Sequence, residues 1–181
     1  TKEWWYETAE PGWVNNELQT YVAGRTGDII TADVSDGTLK IRAIKSGSRV
    51  YSARVNTRKN WTYGYFEARL KLPKGKGTWP AFWMMGNDFR AKGWPNCGET
   101  DILEMGHQNG IKAGTQEKYL NGACHWGQPG HAYYGPSVTN SYSVQDGQFH
   151  TFTCIWEEDQ IAMYIDLDTR PDAKPYFKMA L

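Results

Sequence analysis

Apolar and polar positions along this chain alternate in short runs separated by Gly, Asn, Asp or Pro, a period of two that predicts strands. Residues 28–34 and 38–44 flank Asp36-Gly37, a dipeptide that predicts a tight hairpin turn. Runs at 50–57 and 63–72 follow. The second sets Tyr63, Tyr65, Glu67, Arg69 and Lys71 on one face against Gly64, Phe66, Ala68, Leu70 and Leu72 on the other. Residues 78–85 are almost continuously apolar and predict a buried strand. Further strands are predicted at 99–105, 119–126, 149–157 and 160–166, the last two joined at Glu158-Asp159. No segment holds a 3.6-residue period over the roughly ten residues a helix needs, so the predicted class is all-β. The stretches 87–98, 106–118 and 127–147, rich in Gly, Pro, Asn and aromatic residues, read as surface loops, where binding residues concentrate. Repeats, low-complexity tracts and linker composition are absent.

Composition narrows the partners. The chain has 181 residues with 20 Lys+Arg against 20 Asp+Glu, so no basic field exists to hold a nucleic acid backbone. Nine Trp, 11 Tyr and 6 Phe against eight Leu argue against a helical bundle and for a β fold with aromatic surfaces. No apolar run approaches the roughly 18 residues of a membrane-spanning helix, and the first residues show no charged leader with an apolar core. Cys97, Cys124 and Cys154 fit neither a disulfide framework nor a common zinc spacing, and read as small buried residues in strands. The turn-like stretch 73–78 lacks the glycine and Gly-Lys-Ser/Thr ending of a phosphate-cradling loop. His107, His131 and His150 have no partner that spacing identifies, and read as structural.

Glu99, Asp101 and Glu104 fall within six residues of a segment that otherwise reads as a core strand. Burying like charges together is unfavourable unless their proton affinity rises or donors surround them, so such a cluster points to a site. On a regular strand Glu99 and Asp101 share a face and Glu104 opposes them. A single β-bulge between Asp101 and Glu104 restores Glu104 to the first face. The two glutamates then behave as an i, i+4 pair with Cα atoms roughly 13 Å apart, and their side chains bring the carboxyls to about 5 Å, the separation of a retaining glycosidase pair. Competing readings are a solvated acidic strand and a calcium site; EF-hand loop spacing is absent.

The segment Gly98-Glu99-Thr100-Asp101-Ile102-Leu103-Glu104, preceded by Trp94-Pro95 and by Gly77-Thr78-Trp79-Pro80-Ala81-Phe82-Trp83-Met84, resembles glycoside hydrolase family 16 in its laminarinase-type branch. The E-x-D-x-x-E motif carries the resemblance; the lichenase branch has one residue fewer. Asn15-Asn16-Glu17-Leu18-Gln19, Tyr63-Gly64-Tyr65-Phe66-Glu67-Ala68-Arg69, His125-Trp126 and Ile155-Trp156 extend it over most of the chain. Thr100, where the family commonly has Ile, and Met105-Gly106-His107 depart from the commonest version.

The resemblance implies a β-jelly-roll sandwich of two antiparallel sheets with an open cleft on the concave face. It implies a retaining double displacement with Glu99 as nucleophile, Asp101 as assisting acid and Glu104 as general acid/base. Trp79, Trp83 and Trp94 would bound the subsites before the cleaved bond. Asn16 and Arg54 would bind sugar hydroxyls, His125 would stand near Glu104 on the leaving-group side, and Trp126 would bind substrate from a segment beside the acidic strand. No cofactor is required, although members often carry a structural calcium. The expected function is endo-cleavage of β-1,3- or mixed-linkage β-1,3-1,4-glucan. The alternatives are an endo-β-galactosidase on host glycans or algal galactan, and a non-catalytic carbohydrate-binding module. A monomer outside the cytoplasm, extracellular, periplasmic or on the cell surface, is expected from the polymeric substrate. The sequence reads as one catalytic domain, 1–181, lacking the family's first and last strands, which leaves unpaired edges.

Overall fold

The computed structural model describes residues 2–127 and 130–181; the predicted loop 127–147 therefore falls partly outside the described residues. The chain divides into two compact units, 1–60 and 61–181.

The first unit holds short strands: β1 (Trp4–Glu7), β2 (Gln19–Tyr21), β3 (Arg25–Thr26), β4 (Ile29–Ile30), β5 (Ala32–Ser35), β6 (Thr38–Ile41), β7 (Ile44–Ser46), β8 (Arg49–Ser52) and β9 (Arg54–Thr57). The expected hairpin is present: β5 and β6 pair antiparallel, and Asp36 and Gly37 both take positive φ, 52° and 72°. Residues 28–34, expected as one strand, are split, because Ile29–Ile30 turns back on Arg25–Thr26 while Ala32 begins the next pairing. The run 50–57 is likewise divided between β8, which pairs with β7 and β2, and β9, which pairs with β1.

The second unit contains β10 (Gly64–Leu70), β11 (Ala81–Met85), β12 (Glu99–Met105), β13 (Tyr119–Trp126), β14 (Ala132–Tyr134), β15 (Ser137–Thr139), β16 (His150–Trp156), β17 (Gln160–Ile165) and β18 (Phe177–Ala180). One antiparallel sheet runs β10-β16-β17-β18, and a second runs β11-β12-β13-β14 with β15 also on β13. Their inner faces share one core: Phe66, Leu70, Phe152, Met163 and Phe177 from the first meet Phe82, Leu103, Met105 and Leu120 from the second. The alternation read along 63–72 is thus realised, with Phe66 and Leu70 inward and Tyr65 exposed.

Three features went beyond the sequence pattern. Short helices α1 (Phe89–Lys92) and α2 (Gln108–Ala113) occupy segments expected to be loops, and β14 and β15 lie in a third. Cys124 and Cys154 are buried strand residues, whereas Cys97 is half-buried in a loop; all three are free thiols. Burial pushes the Cys124 thiol up to about 11 and the Cys154 thiol up to about 12, which keeps both protonated. His150 is a structural histidine, as expected: buried at the start of β16, its Nδ1 lies 2.8 Å from Asp166 Oδ2 and its Nε2 3.2 Å from Asp146 Oδ1.

Candidate active site

β12 lies between β11 and β13, and its register breaks where the odd spacing of the acids required it. Against β13, Asp101 opposes Ala123 and Glu104 opposes Asn121, so two β12 residues face one on β13. Against β11 the same break falls between Phe82, opposite Leu103, and Trp83, opposite Asp101. Ile102 faces a partner in neither register. Ile102 and Leu103 are both fully buried, which is how a bulge spends one residue without turning a polar side chain into the core. Glu104 thereby returns to the side of Glu99 and Asp101.

The partner strand must come close here. Gly122 of β13 faces the bulge, and a Cβ there would meet Met163 Sδ at 2.6 Å and Phe177 Cβ at 3.2 Å. A close approach of the same kind anchors the loop before β12. A Cβ on Gly86 would meet the Cys97 carbonyl oxygen at 1.8 Å, and the Gly86 amide donates to the Gly98 carbonyl at 2.9 Å. That closed loop carries α1 and Trp94, whose peptide to Pro95 is cis.

Electrostatics distinguishes the three acids. Asp101 is 3% exposed, and burial pushes its carboxyl up to about 6, opposed by a hydrogen bond from His125 and reinforced by Glu99 through both charge and a hydrogen bond. His125 Nε2 stands 3.2 Å from Asp101 Oδ2, and that contact first of all raises the imidazole's proton affinity. Burial, followed by the charge of Asp101, raises Glu104; the indole of Trp79 and the imidazole of His107 pull it back. Glu99 accepts from Trp94 Nε1 at 2.5 Å, and Glu104 accepts from Trp79 Nε1 at 2.9 Å. Each glutamate is therefore oriented by an indole that also presents an exposed ring, 44% for Trp94 and 51% for Trp79. Trp83, half-buried, is paired with Asp101 in the β11 register.

Trp126 follows His125 on β13, so strand alternation turns it to the opposite face, where it packs on the buried core; the structure does not bring it to the carboxylates. Asn16 and Arg54 belong to the first unit. Asn16 sits at φ 53° in a turn, and Arg54 Nε pairs with Glu7 Oε2 at 2.9 Å beneath the Trp13 ring.

Two histidines that read as structural in the sequence stand at the site instead. His131 Nε2 lies 3.0 Å from His125 Nδ1, and its ring packs 4.6 Å from Trp94 and 5.8 Å from Tyr133. His107 Nε2 lies 2.5 Å from Asn121 Oδ1, beside the strand position opposite Glu104. Spacing offered no signal for either, because their partners lie on β13. Among the described residues no group of three His, Cys, Asp or Glu side chains is placed to hold a metal ion.

Comparison with known proteins places the chain in a family. The chain is 34% identical over 181 residues to a glucan endo-1,3-beta-glucosidase of Cryptopygus antarcticus, covering 90% of this chain and 60% of that protein. It is 34% identical over 174 residues to a beta-glucanase of Rhodothermus marinus, covering 91% and 57%. The chain thus spans about 60% of the length of these curated relatives. Among solved structures, a Bacteroides ovatus mixed linkage glucan GH16 protein in complex with a G4G4G3G product superposes with a TM-score of 0.83 at 39% identity, over 99% of this chain and 73% of that one. The family model for glycosyl hydrolases family 16 matches residues 17–174. That match takes in both units and the bulged strand, and it makes this protein a member of family 16, with the family's all-β jelly-roll fold.

Proposed function

We propose that the protein is an endo-acting retaining hydrolase of β-1,3- or mixed-linkage β-1,3-1,4-glucan. The observation that carries this reading is the bulge, which gathers Glu99, Asp101 and Glu104 on one face of β12 with an indole on each glutamate. The names of the relatives, a glucan endo-1,3-beta-glucosidase and a mixed linkage glucan GH16 protein, support the choice of polymer.

In the first step Glu99 attacks the anomeric carbon while Glu104, whose proton affinity burial and the charge of Asp101 raise, protonates the departing glycosidic oxygen. A glycosyl ester on Glu99 results, with Glu104 ionised. In the second step Glu104 takes a proton from water, water oxygen attacks the same carbon, and Glu99 leaves as carboxylate with the configuration retained. Asp101 hydrogen-bonds Glu99 and is steadied by His125. The exposed rings of Trp79 and Trp94 offer flat apolar faces to sugar rings. The large polymeric substrate implies action outside the cytoplasm.

The test is incubation with laminarin, mixed-linkage glucan, agarose and keratan sulfate, with product sizes read over time. Mixed oligosaccharides from the two glucans are expected from the wild-type protein. Glu99→Gln is expected to lower turnover by at least about 10³-fold while oligosaccharide binding persists. Cleavage of the galactans alone refutes the glucan assignment, binding without any cleavage makes the protein a sugar-binding module, and full activity in Glu99→Gln refutes the nucleophile.

A further inference from the structure

The bulge that assembles the carboxylates leaves one residue of β12 without a register partner on either side. Ile102 has no counterpart in the β11 or the β13 register, and its side chain is fully buried. A carbonyl displaced into the interior without a donor disfavours the conformation that displaces it. Its donor comes from 74 residues away: the Tyr176 hydroxyl donates to the Ile102 carbonyl oxygen.

Tyr176 immediately precedes β18 of the opposite sheet. Its amide donates to the Met163 carbonyl at 2.9 Å, and the next residue, Phe177, pairs with Met163 where β18 begins. The phenol thus spans the sandwich from an anchored backbone on one sheet to the bulge on the other. Burial drives its proton affinity far above the ordinary tyrosine value, so it remains a donor at every working pH. The residue lies two positions beyond the family match, which ends at 174.

We propose that Tyr176 is a positioning residue for the carboxylate site, its hydroxyl holding the Ile102 carbonyl in the bulged conformation that keeps Glu104 on the face of Glu99 and Asp101. Without that donor the bulge competes with a relaxed strand in which Asp101 and Glu104 no longer share a face, and the Asp101 contact with His125 loosens. The catalytic consequence rests on the functional reading above; the geometric one does not.

Tyr176→Phe removes a single oxygen and tests both. On glucan, kcat is expected to fall at least about tenfold with KM within about twofold, since the exposed Trp79 and Trp94 rings remain. By NMR, the His125 ring is expected to titrate at least about 0.3 pH unit lower, because its bond to Asp101 is the first cause of its raised affinity. A folded Phe variant with an unmoved His125 midpoint overturns the proposal, whatever its Tm. If the Phe variant does not fold, 4-aminophenylalanine at 176, which keeps ring and donor, is expected to restore folding and the wild-type midpoint; failure to restore them overturns the proposal equally. If the wild-type protein cleaves no glucan, the functional reading fails and the His125 midpoint alone decides this one.

Discussion

At Asp101 the protein keeps a carboxyl where solvation would release its proton. Burial is the first cause and Glu99 adds to it, while His125 works in the other direction. The folded value of about 6 lies above the roughly 4 expected of an unfolded chain. A carboxyl raised on folding stabilises the fold fully below about pH 4, and that contribution is lost as pH rises through 6. Asp101→Asn, neutral throughout, is therefore expected to be more stable than wild type by roughly 1–3 kcal/mol at pH 7 and nearly equal to it at pH 4. Urea melts at the two pH values check this; a gain of the same size at both would remove the electrostatic explanation. The three acids were legible in the sequence because they fall within six residues of a strand-like segment, where one bulge suffices to put them on a common face. His107, His131 and Tyr176 were not, because each acquires its role from a residue on another segment: Asn121, His125 and Ile102.

Elements were legible in proportion to how local their causes are. The Asp36-Gly37 hairpin formed because both residues accept positive φ, a property readable from two letters. The alternating run behind β10 was long enough to fix both of its faces. The α2 segment Gln108–Ala113 escaped notice because six residues with an internal glycine carry no measurable period, and its stop at Gly114, φ 67°, resembles any loop glycine. β14 and β15 span three residues each, and their shape comes from β13 beside them. β13 itself is shaped by the core across from it. Gly122 fits only because it has no side chain, so Gly122→Ala is expected to destabilise the protein by about 1–3 kcal/mol through displacement of Met163 and Phe177. Thermal melts give the size of the loss. A variant as stable as wild type would mean that the core gives way more easily than its packing implies.

For the whole chain, 20 basic and 20 acidic groups leave no net field, while three acids are concentrated on one strand. Long-range attraction then contributes little to meeting an uncharged polymer. On neutral glucan, kcat/KM is expected to change less than about twofold between about 50 and about 500 mM salt, measured by reducing-end release. A steep decline would indicate charge steering and point to a sulfated or otherwise anionic substrate. The aromatic excess, which the composition alone could not place, divides in the structure. Trp126 and Trp156 pack against the core, while Trp79 and Trp94 stand exposed and bonded to Glu104 and Glu99.

The bulge also has a meaning in terms of parity. A strand sorts its residues by odd and even, and a separation of five between Glu99 and Glu104 is a parity mismatch that one unpaired residue corrects. The correction displaces a carbonyl, and Tyr176 supplies the matching donor. Spacing and donor are therefore a single device held in two distant places of the chain. Shortening the motif by one residue makes the parity even and the bulge unnecessary, but it leaves a buried phenol with nothing to bond. Neither half can change length or chemistry without the other.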